Sequence, residues 1–297
     1  MGRKLFMIQC FVKREFVSSF SKNSTPKLRY VSRINATYKY PRIMHGHQDL
    51  LELLFVRSGT GVYIINEVRY PIQQGDMIIC NSGVLHDEAP ECNSELNTYC
   101  CAIAGLELEG IRKDCLIADD IYPVVPCNEQ AAAIEWIMGM MYTELAANKV
   151  GGEECCHYLM LALLSKVLQL VEDNKVFHDK KRDEIYLKGE MIKTYIDSRY
   201  DEALSLQSIS RALNISPYYL AHIFKRTIGY SPMQYITRRR IGEAQTLLIN
   251  TCYSVTQIAS MVGYDNISHF NTMFLKYIGM SPRQYRNTYT NAKQEKR

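Results

Sequence analysis

The sequence predicts an α+β chain in three parts: an N-terminal half closing as an antiparallel β-sandwich or barrel, a pair of long helices, and a basic all-α C-terminal domain. Three observations carry that expectation. Short apolar runs alternate with turn residues up to about residue 127, two long helical stretches lie between residues 129 and 171, and the chain repeats itself after residue 205. Its 297 residues suit two domains, at roughly 100 to 200 residues per domain. With 47% apolar and 22% charged residues the chain can bury proper cores, so wholesale disorder and a disulfide-dense miniature fold are excluded.

In the first part the order is LELLFV, SGTG, VYIIN, a short VRYPI, QQGD, MIIC and NSG. A strand and a turn about every 8 to 12 residues is the rhythm of an antiparallel sandwich or barrel. The next part holds Glu129 to Ala147, with Ile134, Ile137, Met141 and Leu145 on one stripe, and Glu153 to Val171, apolar nearly all round. Gly151 and Gly152 break the helix between them. So much apolar surface exceeds what one barrel face must cover, which predicts a homodimer through this stripe; packing onto the barrel is the alternative. A charged run from Glu172, EDNKVFHDKKRDE, predicts a linker. The expected division is therefore a barrel at 1–127, a helical dimerisation segment at 128–173, a linker at 174–186 and the C-terminal domain at 187–297.

Ten cysteines are scattered without any C-x-x-C pair, so neither a zinc ribbon nor a thioredoxin-like site is encoded, and free thiols in this number suit a reducing compartment. The opening MGRKLFMIQCFVKREF lacks a signal-peptide cleavage site, and Phe6 fails the myristoylation pattern. The apolar segment Cys155 to Leu164 meets Lys166, well short of the ~20 residues that span a bilayer. These features lead to the expectation of a cytoplasmic protein with no membrane partner.

The formal charge of +4 hides an asymmetry. Residues 1–179 carry 17 Lys and Arg against 22 Asp and Glu, a charge of −5, whereas residues 180–297 carry 18 against 9, a charge of +9. Only the basic half is suited to a polyanion, because each cation placed on a phosphate releases a condensed counterion. A basic surface kept for solubility is the bland reading of charge alone.

The internal repeat favours the polyanion. SLQSISRALNISPYYLAHIFKRTIGYSPMQY from Ser205 aligns with SVTQIASMVGYDNISHFNTMFLKYIGMSPRQY from Ser254. The offset is 49 at Ile209/Ile258 and 50 from Phe224/Phe274 to Tyr235/Tyr285, so one residue is inserted between two predicted helices. Each copy reads as helix, tight turn, helix. Ser216-Pro217 is an N-cap with Pro at the first helical position, and Ser254 with Gln257 is a capping box. Apolar stripes Leu220, Ile223, Phe224, Ile228 and Phe270, Met273, Phe274, Ile278 face inward. The opposite faces then hold Tyr218, Ala221, His222, Lys225 and Arg226 in the first copy, and Ser268, Asn271, Thr272 and Lys276 in the second. Ser, Asn, Thr and His can read base edges, while Lys and Arg suit phosphates. Between the copies Pro232 to Ile249 reads as one helix, about 27 Å long at 1.5 Å per residue. It can hold two reading heads near the ~34 Å of one DNA turn.

At about 187–290, with RRRIGEAQTLLINT and SVTQIASMVGYDNISHFNTMFLKYIGMSPRQYR, the chain resembles the AraC/XylS family of bacterial transcription regulators. That resemblance implies two helix-turn-helix units joined by a linker helix, with Tyr218, Ala221, His222, Ser268, Asn271 and Thr272 at base-reading positions. Leu275 departs from the pattern, standing where such proteins commonly place a basic residue.

The strand-rich half holds His45-Gly46-His47, then Glu52, and His86 34 residues later. Three imidazoles and a carboxylate make a metal shell, a hydrogen-bonding wall for a polar ligand, or a set of structural histidines satisfied within the fold. HGHQDLLE, Gly59, Gly75 and NSGVLH are similar to the cupin barrel, with Asn81 where Pro is expected. Such barrels often serve this regulator family as the N-terminal sensor. Arg57, Tyr63 and Met77 are candidates for the barrel interior, although strand register is not fixed by sequence.

Together the resemblances imply a non-enzymatic, sequence-specific regulator of double-stranded DNA. It would respond to a small polar effector, a sugar among the candidates, bound by His45, His47, Glu52 and His86. It would need no cofactor, act as a homodimer, and engage RNA polymerase if it activates. A metal-dependent cupin enzyme using the same four residues as ligands leaves the repeat idle. A constitutive DNA-binding dimer without ligand stays open.

Overall fold

The computed structural model describes residues 12, 15, 18–21, 24–35, 43–66, 68–88, 96–174 and 184–294. Among the described residues eight antiparallel strands form two facing sheets: β1 (Lys27–Ile34), β2 (Leu51–Ser58), β3 (Thr60–Ile65), β4 (Val68–Gln73), β5 (Asp76–Cys80), β6 (His86–Glu88), β7 (Asn97–Ala104) and β8 (Val124–Pro126). One sheet runs β1-β7-β2-β5-β8 and the other β4-β3-β6. The fold is α+β, with the cupin-like strand half followed by the helical half.

The five-stranded sheet is covered on both faces, which explains why LELLFV is continuously apolar instead of alternating. Leu51, Leu53 and Phe55 join Met77, Ile79, Cys101 and Ile103 in a core shared with two helices. Leu54, Val56, Ile78 and Cys100 face the smaller sheet, meeting Tyr63, Ile65, Tyr70 and Ile72. The register settles the three interior candidates. Tyr63 lies inside the barrel, whereas Met77 faces the helices, and Arg57 reaches Glu135 at 3.2 Å with its guanidinium 4.7 Å from the Tyr99 ring. Placing Arg57 and Met77 inside the barrel is therefore corrected.

The two helices are α1 (Ala131–Ala147) and α2 (Gly152–Asp173). They form a hairpin closed by Asn148 and Gly151, both in the left-handed region. Ile134, Ile137 and Met141 are buried against the sheet and against Met160, Leu163, Leu164 and Val167 of α2, and Leu145 is partly buried there. The stripe expected to form a dimer is thus used within the chain, because the outer sheet face is itself apolar and needs cover. The outward face of α2 exposes Cys155, Tyr158, Ala162, Ser165 and Gln169. By length and composition alone α2, at 22 residues, is long and apolar enough to cross a membrane.

Seven helices complete the described chain: α3 (Glu184–Asp197), α4 (Leu206–Leu213), α5 (Pro217–Ile228), α6 (Pro232–Asn250), α7 (Val255–Met261), α8 (Ile267–Ile278) and α9 (Pro282–Gln294). Of the expected linker 174–186, residues 175–183 lie outside the described residues, and α3 starts at Glu184. Two cores flank α6. Ile192, Ile209, Leu220, Phe224 and Tyr235 form the first, and Ile241, Leu248, Ile258, Phe270, Phe274 and Tyr285 the second.

The barrel docks where those cores meet. Ile43 belongs to the second core and Met44 to the first. The Ile43 N–H donates to Gln245 Oε1 at 3.0 Å, and Arg238 pairs with Asp87, both buried. Gly242 on α6 lies so close to the Ile43 and Met44 carbonyl oxygens that a Cβ would collide with them. Alanine normally strengthens a helix by about 1 kcal/mol relative to glycine, so Gly242→Ala separates helix stability from docking. We expect its far-UV circular dichroism to be unchanged while limited proteolysis of the segment joining the two halves accelerates. An unchanged cleavage rate would show that Gly242 is not a docking point.

Candidate functional site

Each helix-turn-helix unit is built by local caps that aim its second helix. Ser216 accepts from the Tyr219 N–H with Pro217 at the first helical position, and Gly229 ends α5 in the left-handed region. Asn266 accepts from the Ser268 and His269 N–H groups at 2.8 and 3.0 Å, and Gly279 ends α8 in the same way. The turn between α4 and α5 passes through Asn214 at φ 53, and the matching turn after α7 through Gly263 at φ 84.

With Leu220, Ile223, Phe224 and Ile228 buried, α5 turns Tyr218, His222, Lys225 and Arg226 to solvent, Ala221 being half-buried. Helix α8 buries Phe270, Phe274 and Ile278 and exposes Ser268, Asn271, Thr272 and Lys276. Met273, expected inside, is only partly buried. Neither helix carries an acidic side chain, so nothing on these faces repels a phosphate. The Thr272 hydroxyl donates back to the Ser268 carbonyl at 2.9 Å, leaving its lone pairs and methyl group outward. Tyr219 and His269 are exposed beside the expected residues; their signal was adjacency within the first turn, which periodicity alone assigned to neither face.

The barrel site is assembled around Glu52, which is 2% exposed. Tyr30 Oη donates to Glu52 Oε1. His86 Nε2 lies 2.6 Å from Oε2, His45 Nε2 3.7 Å from Oε2, and His47 Nε2 3.5 Å from Oε1. All four candidates therefore converge. His45 and His86 also bridge through their backbones, at 3.2 and 2.9 Å, and their rings are 4.2 Å apart. Asn81, standing where Pro was expected, is a staple: its Nδ2 donates to the Ile117 carbonyl at 2.7 Å and its Oδ1 accepts from the Leu116 N–H at 2.9 Å. A space of about 80 Å³ adjoins the cluster, lined by Tyr30, His45, Glu52, Tyr63, Thr98 and Cys100 among others, whereas His47 and His86 are not in its wall. Burial pulls the His86 imidazole down, but the Cys80 thiol and the Glu52 carboxylate outweigh it and hold His86 well above its usual range. Burial pushes the Tyr63 phenol well up. The ligand atoms of His45, His47 and Glu52 lie within 4.8 Å of one another, which suits a divalent ion as well as a polar ligand.

This site and the DNA-reading half are one residue apart. His86 faces Glu52 while Asp87 pairs with Arg238 of α6. In the same way His45 lines the site while Met44 enters the core of the first unit. A cupin-like barrel joined to a duplicated helix-turn-helix domain defines a two-part protein of the DNA-binding regulator class.

The Helix-turn-helix domain model matches residues 209–288 and the Cupin domain model residues 39–91. The chain is 26% identical over 250 residues to the uncharacterized HTH-type transcriptional regulator YdiP of Escherichia coli, covering 83% of this chain and 82% of that one. It is 23% identical over 238 residues to the lactose operon transcription activator of Staphylococcus xylosus, covering 80% and 84%. Among solved structures, the C-terminal domain of AraT, a response regulator from Geobacillus stearothermophilus, is 34% identical, with 37% of this chain and 88% of that one covered and a TM-score of 0.34. The chain thus carries an AraC-type helix-turn-helix domain and a cupin domain, and the relatives it resembles are AraC-family transcription regulators.

Burial raises the Asp87 carboxyl above its usual range, and Arg238 together with the Met44 backbone N–H pulls it back. In Arg238→Ala the opposing guanidinium is gone, so the carboxyl rises further. A carboxyl whose folded pKa is raised binds more protons folded than unfolded, so stability falls as pH climbs from about 4 through the raised value. Urea denaturation of Arg238→Ala should therefore show a loss of about 3–5 kcal/mol at neutral pH that shrinks toward pH 4. A loss independent of pH would mean that Asp87 is not the group left unpaired.

Proposed function

We propose that this regulator reads DNA with Tyr218, Ala221, His222, Ser268, Asn271 and Thr272, anchors on phosphates through Lys225, Arg226 and Lys276, and answers to a small polar effector engaged by His45, His47, Glu52 and His86. One observation carries the reading: two outward helix faces free of acids are tied, through Asp87–Arg238, to a buried polar site. The lactose operon activator named above supports a sugar as effector and activation as output, which makes RNA polymerase a partner. The proposed role is not enzymatic, and its place is the cytoplasm, where the DNA is. We also place a homodimer on the outward face of α2, where Tyr158 is 61% exposed, since α1 is committed to the barrel. A divalent metal is a second reading, favoured by the ligand atoms of His45, His47 and Glu52, which lie within 4.8 Å of one another.

Two substitutions distinguish reading from anchoring. Asn271→Ala should cost about 1–3 kcal/mol on the cognate site and relax preference at one or two positions. Lys276→Ala should weaken all sequences alike and lower the salt slope by about one unit. If Asn271→Ala weakens cognate and random DNA equally, the assigned facing of α8 is wrong.

For the sensor, His47→Ala and Glu52→Ala should abolish effector response while leaving DNA affinity without effector unchanged. A response insensitive to chelators favours the polar ligand over the ion. Normal response from alanine variants at all four positions would place the site elsewhere.

A further inference from the structure

A second cavity lies outside the barrel, in the cleft where the barrel meets α3. Its volume is about 370 Å³, within the ~300–1,000 Å³ of small-molecule sites. The space beside the barrel site is smaller, at about 80 Å³. Ile117 and Ile121 give the cleft an apolar floor, and Tyr70, Tyr186, Arg112 and Glu190 are among its polar walls.

Most of these polar groups are already engaged within the protein. Arg112 Nη2 donates to Asp119 Oδ1 at 2.7 Å, and Asn81, also in the wall, holds the 116–117 backbone. Glu190 differs: its Oε1 is buried and, among the described residues, has no hydrogen-bond partner. A buried acceptor without a donor is costly, and a hydroxyl supplied from the cleft removes that cost. Tyr70 stands edge-on to Tyr122 at 5.0 Å between ring centres, so an aromatic wall and an aliphatic floor accompany the carboxylate. A ring with an apolar face and hydroxyls at its edge satisfies both.

We propose that this cleft binds a hydroxyl-rich ligand of mono- or disaccharide size that donates to Glu190 and ties the barrel to the first helix-turn-helix unit. The proposal goes beyond the barrel-site reading, which concerns a different cavity. Gly189, next to Glu190, lies so close to Thr227 of α5 that a Cβ there would collide with the threonine side chain. Helix α3 therefore cannot shift at this point without displacing the helix that carries Tyr218 and His222. A ligand held between barrel and α3 bears directly on that reading face.

Ligand-observed NMR titration of the full-length protein with D-glucose, D-galactose, lactose and melibiose tests this, using wild type, Glu190→Ala, Ala118→Trp and His47→Ala. Ala118 lines the cleft, and an indole there fills it. At least one of the four sugars should bind wild type saturably, with affinity reduced about tenfold or more, as for loss of a charged hydrogen bond, by Glu190→Ala and by Ala118→Trp, and unchanged by His47→Ala. Should Ala118→Trp fail to fold by circular dichroism, Glu190→Gln decides in its place. Binding lost in His47→Ala yet kept in the cleft variants puts the sugar in the barrel, overturning this proposal and sparing the barrel reading. No saturable binding of any of the four sugars to wild type overturns the ligand class proposed for the cleft.

Discussion

The buried pairing of Arg238 with Asp87 is the constraint around which the molecule is arranged. A guanidinium taken from water needs a carboxylate beside it, and removing either partner strands the other in a medium that solvates it poorly. Arg238 also lies over the Tyr230 ring at 5.0 Å, so its position along α6 is fixed by two contacts. With Gln245 holding the Ile43 N–H and Gly242 admitting the 43–44 backbone, α6 has one register against the barrel. Because side chains alternate along an extended strand, Asp87 faces α6 while its neighbour His86 faces Glu52. The polar site and the docking face are two sides of the same short segments, and displacement of one displaces the other.

Helix α6 is consequently more than a spacer. It contributes Tyr235 and Ile236 to one core and Ile241, Ala244 and Leu248 to the other, so each helix-turn-helix unit is completed by a different end of the same helix. The repeat is also visible in its caps. Ser231 with Gln234, Ser254 with Gln257 and Ser281 with Gln284 exchange the same pairs of hydrogen bonds, each satisfying N–H groups that a helix start leaves unpaired.

How much was legible depended on whether local chemistry or long-range packing decided the matter. The strands at LELLFV, VYIIN, VRYPI and MIIC, the two helix-turn-helix units and the outward faces of α5 and α8 rest on periodicity and caps, which act over a few residues. Convergence of His45, His47 and His86 on Glu52 was anticipated through a family resemblance, since no local rule brings residue 86 to residue 45. What escaped reading required knowledge of the partner surface. The stripe of Ile134, Ile137 and Met141 is the same apolar pattern whether it meets a second copy or its own barrel, and only the bare outer face of the five-stranded sheet decides. Arg57 and Met77 were misplaced because a one-residue change of register exchanges the two faces of a strand. Arg238, in a run of three arginines, gave no sign that it alone is buried against a carboxylate from 151 residues earlier.

The two reading helices are built alike but charged differently, and in the proposed DNA-binding mode this divides their work. Helix α5 ends in Lys225 and Arg226, whereas α8 has Lys276 preceded by Leu275, 53% exposed. Each cation on a phosphate adds a counterion-release contribution that ignores sequence, so the first unit supplies more of the indiscriminate affinity. The second, with Ser268, Asn271 and Thr272 outward, offers more groups able to pair with base edges. Helix α3 packs behind the first unit through Gly189, and the barrel presses on both through α6. Movement at α3 therefore acts first on the unit that anchors, and a change in anchoring alters occupancy of every site while leaving the sequence preference carried by α8 intact.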